Sequence, residues 1–163
     1  MSYFRIAKTF EVEYGHRLSK HPEKCRFPHG HSLKIEVVAR GRHLDDNDMV
    51  CDYKALKMLV LDLVEGLDHA MALNSEDPYV QGLASIGERI LVFDGQDPTT
   101  EVLARWLYQR IAERMEQGGW VKERTQERYR LPDSLELERI RVWETSSSWA
   151  EYVGMDDVGK LGG

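Results

Sequence analysis

Three histidines near the start of the chain have the type and spacing that could hold a metal ion. His29 and His31 stand two residues apart in the run Cys25-Arg26-Phe27-Pro28-His29-Gly30-His31, and His16 precedes them. On an extended strand that spacing puts both imidazoles on one face. Leu33, Ile35, Val37 and Ala39 continue the same face, and it is apolar. Upstream, Phe10, Val12 and Tyr14 share parity with His16, while Glu11 and Glu13 point the other way. If the two segments pair antiparallel, His16 at the end of the first comes near His31 at the start of the second. Three imidazoles then converge at one end of an apolar surface. Three neutral imidazoles that leave a fourth position open are the ligand pattern of catalytic zinc. The alternative is three unrelated histidines in or near a hairpin, but half of the chain's six histidines fall at this one place.

Other reactive groups stand elsewhere in the chain. Cys25 lies in the segment just ahead of the histidine pair. A thiol beside a divalent cation is more readily a thiolate, which is the reactive form. It is equally placed to be a fourth ligand in a closed structural site, or an ordinary loop residue. Leu67-Asp68-His69 follows the first predicted helix. Neighbouring side chains normally diverge, so the pair reads first as a polar loop. In the right turn the aspartate could orient the imidazole for acid–base work near neutral pH. Glu144 ends a stripe that includes Ile140 and Val142. A carboxylate there must find donors or water. Two parallel N–H groups of a guanine-like ring would satisfy it, as a guanidinium does; a strand end emerging into solvent would satisfy it too.

The elements that must position these groups are legible as alternation and helical periodicity. Phe4 to Tyr14 and Leu33 to Gly41 read as strands, and residues 15–28, with Pro22 and Pro28, connect them. Asp45-Asp46-Asn47-Asp48 reads as a turn. Leu56, Leu59, Val60, Leu63 and Val64 form an apolar stripe that predicts a helix over Tyr53 to Glu65, with Asp52 capping its start and Gly66 its end. The middle reads as loop-rich. A second helix begins near Pro98-Thr99-Thr100-Glu101, is lined by Leu103, Trp106, Leu107, Ile111 and Met115, and stops at Gly118-Gly119. The charged stretch 120–132 reads as an exposed loop or a hairpin extension. Leu137 to Glu144 and Trp149 to Val153 are the last strands, and the Gly-rich tail, residues 154–163, is expected to be mobile. No repeat and no second domain are visible, so residues 1–153 are expected to form one catalytic domain.

Composition fits a globular enzyme. The chain has 163 residues, 42% hydrophobic and 31% charged, enough for a proper core. A net charge of −6 leaves no basic footprint for nucleic acid. Cys25 and Cys51 are the only cysteines, which is no disulfide framework, and free thiols suit a reducing cytoplasm. The start of the chain lacks an apolar signal core, and no stretch is long enough to span a membrane. The expectation is a cytoplasmic enzyme acting on a small molecule.

Taken in order, several segments resemble the 6-pyruvoyl-tetrahydropterin synthase / 6-carboxytetrahydropterin synthase family from about Phe4 to Tyr152. They are Phe10 to His16, Cys25-x-x-x-His29-Gly30-His31, Met49-Val50-Cys51-Asp52-Tyr53, Leu67-Asp68-His69 with Leu73-Asn74, Pro98-Thr99-Thr100-Glu101, and Val142-Trp143-Glu144-Thr145 with Ala150 and Tyr152. The resemblance implies an α+β tunnelling fold: a four-stranded antiparallel sheet with two helices on one face. It implies subunits that join into trimeric barrels and stack into hexamers, with active sites at the interfaces. By position, His16, His29 and His31 become Zn²⁺ ligands. Cys25 becomes the general base, working with Asp68 and His69 of a neighbouring subunit. Glu144 becomes the pterin anchor, and Thr99, Thr100 and Glu101 help line its pocket. The implied substrate is 7,8-dihydroneopterin triphosphate, whose phosphates Arg17, Lys24 or Arg26 could hold. Two lyase reactions run in the family. One cleaves the substrate to 6-carboxytetrahydropterin, acetaldehyde and triphosphate for queuosine biosynthesis, and is the leading expectation. The other eliminates triphosphate and keeps the side-chain carbons as a pyruvoyl product. A non-catalytic pterin- or zinc-binding protein is the expectation from another class. One departure bears on the product: many relatives carry alanine before the first zinc histidine, where this chain has Tyr14-Gly15-His16.

Overall fold

A computed structural model describes residues 2–122 and 128–154. Strands β1 (Phe4–His16) and β2 (His29–Gly41) form a long antiparallel pair. Both run further than their apolar alternation alone predicts, so all three histidines lie on strands. A single 3₁₀ turn, Lys24–Arg26, sits in the connection between them.

Helix α1 (Tyr53–Leu67) starts where expected, and the Asp52 carboxylate accepts the Lys54 N–H at 2.7 Å. Its buried face is Ala55, Leu56, Leu59, Val60, Val64 and Leu67. Gly66, expected to end the helix, lies within its last turn; the C-cap falls on Asp68. The middle is more regular than expected. It contains β3 (Ala70–Asn74), the short helix α2 (Tyr79–Ser85) and β4 (Ile90–Phe93). Helix α3 (Thr100–Gln117) is capped by Thr99, whose hydroxyl accepts the Val102 N–H at 3.3 Å. It ends at Gly118, whose φ of +58° favours glycine.

Strands β5 (Gly119–Lys122) and β6 (Arg128–Leu131) pair antiparallel, so the described flanks of the charged stretch are a hairpin and not an open loop. Residues 123–127 of that stretch, and residues 155–163 of the tail, lie outside the described residues. Strands β7 (Glu136–Trp143) and β8 (Trp149–Val153) complete the fold.

The main sheet runs β4-β3-β1-β2-β7-β8. The expected four-stranded antiparallel sheet is thereby corrected to six strands of mixed direction. β1, β2, β7 and β8 are its antiparallel part, and β3 and β4 add to β1 in parallel. The two expected helices are joined by a third, α2, which packs against β3 and β4. Helices α1 and α3 cover one face of the sheet, over Val12, Tyr14, Leu33, Ile35, Val37, Ile140 and Val142. Charges cover the other face. There Arg5 pairs with Glu138 at 2.7 Å, and Arg139 and Arg141 share Glu151 at 3.1 and 2.7 Å. No described helix is long and apolar enough to cross a membrane.

Candidate active site

The histidine cluster is a product of strand register. His16 stands opposite His29, and Tyr14 opposite His31. The parity of the two strands turns all three imidazoles to the helix-covered face, at the end where the apolar stripe stops. The three rings meet edge-on, with centroids 4.5–5.1 Å apart. One nitrogen from each lies within 4.8 Å of the others.

Backbone carbonyls fix two of these rings. His16 donates its Nδ1–H to the Pro98 carbonyl at 2.9 Å, and His29 donates its own to the Phe27 carbonyl at 2.7 Å. A carbonyl only accepts, so both protons sit on Nδ1 and both Nε2 atoms carry lone pairs when the rings are neutral. Those Nε2 atoms face each other at 3.0 Å. Two lone pairs at that distance repel and want a cation between them. Ligand nitrogens on a tetrahedral ion with bonds of about 2.0–2.1 Å lie roughly 3.3 Å apart, close to this separation. His16 is 2% exposed. Burial, partly offset by the Pro98 bond, lowers its pKa and keeps it in the neutral, ligating form. The donor set therefore fits a divalent metal ion.

Glu144 follows β7 and extends its inward stripe to the cluster. Its Oε1 lies 3.6 Å from Nε2 of both His16 and His31. Tyr14 closes another side. It is buried, its ring is edge-on to His16 at 5.6 Å, and its hydroxyl finds no partner among the described residues. Burial, and then the Glu144 carboxylate, push its pKa well above the ordinary tyrosine value, so it is a neutral phenol.

The turn before α3 is the cluster's scaffold. Asp97 is 8% exposed and accepts from Ser19 Oγ at 2.6 Å, the Lys20 N–H at 2.7 Å and Asn74 Nδ2 at 3.1 Å. Burial would raise its pKa; those donors outweigh burial and hold the carboxyl below the usual value. Asp97 thus ties the connection after β1 and the end of β3 to the segment whose next residue, Pro98, holds His16. Sequence reasoning missed Asp97 and the two carbonyls. Only the Asp97-Pro98 turn signal pointed there. Thr99, Thr100 and Glu101 begin α3 beside this turn, and among the described residues none hydrogen-bonds to the histidines.

Cys25 sits half-buried in the 3₁₀ turn and is not part of the three-nitrogen set. Asp68 and His69 are brought together: Asp68 Oδ2 accepts the His69 Nδ1–H at 2.8 Å. The Glu13 N–H, then His69, draw the Asp68 pKa below the usual carboxylate value. His29, His31 and His69 all line one open groove of about 590 Å³. Of the bases suggested for phosphate, Arg17 is already committed to the buried Asp77 carboxylate and lies over the Tyr79 ring at 4.7 Å.

The sequence model of 6-pyruvoyl tetrahydropterin synthase matches residues 5–155. A protein of Aquifex aeolicus named 6-carboxy-5,6,7,8-tetrahydropterin synthase is 29% identical, over 91% of this chain and 97% of its own length. A protein of the same name from Haemophilus influenzae is 26% identical, over 91% of this chain and 98% of its own. Among solved structures, an uncharacterized protein of Wolinella succinogenes superposes with a TM-score of 0.74 at 21% identity, covering 95% of this chain and 100% of its own. The 6-pyruvoyl tetrahydropterin synthase of Caenorhabditis elegans superposes with a TM-score of 0.63 at 18% identity, covering 95% and 98%. With its fold, its three-histidine cluster and a family match over nearly its whole described length, the chain belongs to the 6-pyruvoyl tetrahydropterin synthase family.

Proposed function

We propose that this protein is a 6-carboxy-5,6,7,8-tetrahydropterin synthase, a zinc-dependent lyase. Its substrates are 7,8-dihydroneopterin triphosphate and one water, and its products are 6-carboxytetrahydropterin, acetaldehyde and triphosphate. The observation that carries this reading is the cluster of His16, His29 and His31, with two Nε2 lone pairs turned on one point at 3.0 Å. It stands in a chain aligned over 91% of its length with relatives bearing that name.

Zinc held by His16, His29 and His31 would supply Lewis acidity toward the side-chain oxygens of the substrate. The chain's own groups do the rest. Glu144 binds the paired N–H groups of the pterin and so orients the ring. The Thr99-Thr100-Glu101 segment lines its pocket. Cys25, as thiolate, takes a carbon-bound proton from the side chain. Asp68 holds the His69 imidazole by its Nδ1–H, which leaves Nε2 to accept or return a proton. The His69 side chain is 74% exposed, which suits delivery into the site of an adjacent subunit in a trimer or hexamer.

The test is product analysis. Zinc-loaded protein given 7,8-dihydroneopterin triphosphate is expected to release acetaldehyde in step with the carboxylated pterin, read by mass spectrometry. A pyruvoyl product without acetaldehyde would establish the elimination reaction instead. Binding without turnover would leave a pterin-binding protein.

A further inference from the structure

Two polar groups of the site have no hydrogen-bond partner among the described residues, and their wants are complementary. The Tyr14 ring is 3% exposed, and its hydroxyl is buried without a hydrogen-bond partner among the described residues. A buried donor of that kind is rare and costly. The Glu144 carboxylate has no hydrogen-bond donor among the described residues. Its nearest contacts are the Nε2 atoms of His16 and His31, at 3.6 Å, beyond hydrogen-bond length. His16 already spends its proton on Pro98, so that Nε2 offers a lone pair and not an N–H. One group is a donor without an acceptor and the other an acceptor without a donor.

Register puts them on either side of the same imidazoles. Tyr14 stands opposite His31 across β1 and β2, with its ring 5.6 Å from that of His16. Trp143 stands opposite Lys34 across β2 and β7, so Glu144 follows on the far side of the histidine end of β2. Both side chains lie on the helix-covered face.

We infer that Tyr14 is a positioning residue: the Glu144 carboxylate, which in this structure faces the histidines, turns to accept the Tyr14 O–H and is thereby aimed at the ligand. The inference deepens the pterin reading proposed above and rests on it for the identity of the ligand. A carboxylate has about four lone-pair sites, so one bond from a phenol leaves room for two parallel N–H groups of a pterin. The bond also draws Glu144 off the histidine lone pairs, which frees them to hold a cation.

The experiment compares Tyr14→Phe, Glu144→Gln and the double variant in the zinc-loaded protein. The probe is 7,8-dihydroneopterin without its triphosphate, titrated by fluorescence. Tyr14→Phe is expected to weaken binding about tenfold or more, as the loss of a hydrogen bond to a charged group does. It is expected to keep the zinc and to lower the Tm only by the loss of one hydrogen bond, because the ring stays and no cavity is left. In the double variant it is expected to add nothing to the loss caused by Glu144→Gln. Unchanged affinity in Tyr14→Phe overturns the inference. So do independent, multiplying losses in the double variant, or a loss of zinc in Tyr14→Phe, which would make the residue a support of the histidines and not of Glu144. The infrared carboxylate band that vanishes in Glu144→Gln gives a readout without any pterin. It is expected to shift in Tyr14→Phe, and an unmoved band also overturns the inference. If dihydroneopterin fails to bind the unsubstituted protein while the band does shift, the pterin reading falls and the Tyr14–Glu144 bond stands.

Discussion

Asp68 and His69 are neighbours in sequence, yet their side chains are joined by a 2.8 Å hydrogen bond. The backbone makes this possible. His69 has φ of +58°, a left-handed conformation that non-glycine residues rarely adopt. The corner is clamped onto both polar groups of Glu13: the His69 N–H donates to the Glu13 carbonyl at 2.6 Å, and the Glu13 N–H donates to Asp68 Oδ1 at 2.8 Å. A turn that would cost energy alone is held by the end of β1, and it leaves His69 Nε2 directed outward.

This corner has a pH signature. The Asp68 pKa is lowered in the folded protein, by the Glu13 N–H first and His69 second. An unfolded aspartate titrates near about 3.9. Its contribution to stability is therefore complete above that value and is lost as pH falls through the lower, folded value, where the unfolded chain binds more protons. Denaturation midpoints are expected to fall below about pH 4. In Asp68→Asn the midpoint is expected to start lower at neutral pH and to fall less steeply in acid. Parallel profiles for the two proteins would show that Asp68 gains nothing from its bonds.

If His69 serves a neighbouring subunit, two dead variants should repair each other. Cys25→Ala and His69→Ala are each expected to lose about 10²–10⁴ in turnover, the usual contribution of an acid–base group. Mixed and allowed to exchange subunits, they are expected to regain part of the lost rate, because some sites then carry both intact residues. No recovery after exchange demonstrated by mass spectrometry would place all the groups on one chain.

The ease with which the site was read from sequence depended on what kind of feature each part was. The histidine cluster was legible because side-chain parity is a two-residue rule, and His16, His29 and His31 obey it on apolar stripes. Helices α1 and α3 were legible through their stripes, through Asp52 as a cap and through the Pro98-Thr99-Thr100-Glu101 start of α3. β3 and β4 were missed because they are five and four residues long and parallel, too short for alternation to speak. The Asp68–His69 bond is not legible in the sequence because it depends on one positive φ that histidine does not advertise. The carbonyls of Pro98 and Phe27 left no mark, since every residue has one. The hydrogen-bond hub at Asp97 draws on three distant segments, and no local pattern encodes that.

Metal binding separates the histidines from Cys25. Loss of an outer partner of a metal ligand costs roughly 10–100-fold in affinity, so loss of a ligand itself should cost more. His29→Ala is expected to lose zinc during dialysis against a weak chelator, while Cys25→Ala keeps about one ion per chain. Metal analysis after dialysis checks both. Zinc retained by His29→Ala would remove that residue from the ligand set, and zinc lost by Cys25→Ala would make the thiol a ligand and the site structural.

The two glycines that flank the cluster should respond differently to the same added methyl group. Gly15 and Gly30 face each other across β1 and β2, between the Tyr14–His31 and His16–His29 pairs. A Cβ on Gly30 would lie 3.1 Å from the Tyr14 carbonyl oxygen, which is backbone in a paired strand and cannot yield without shifting the register at His29 and His31. A Cβ on Gly15 would also meet an atom at 3.1 Å, but that atom is the terminal methyl of Met71, on a flexible side chain. Crowding that must be relieved by backbone movement costs about 1–3 kcal/mol, and crowding relieved by a rotamer costs less. Gly30→Ala is therefore expected to lower the denaturation midpoint and weaken zinc binding together, and Gly15→Ala to change neither by much. Equal effects of the two substitutions, read by denaturant melts and zinc titration on the same preparations, would mean that strand spacing does not hold the imidazoles in place.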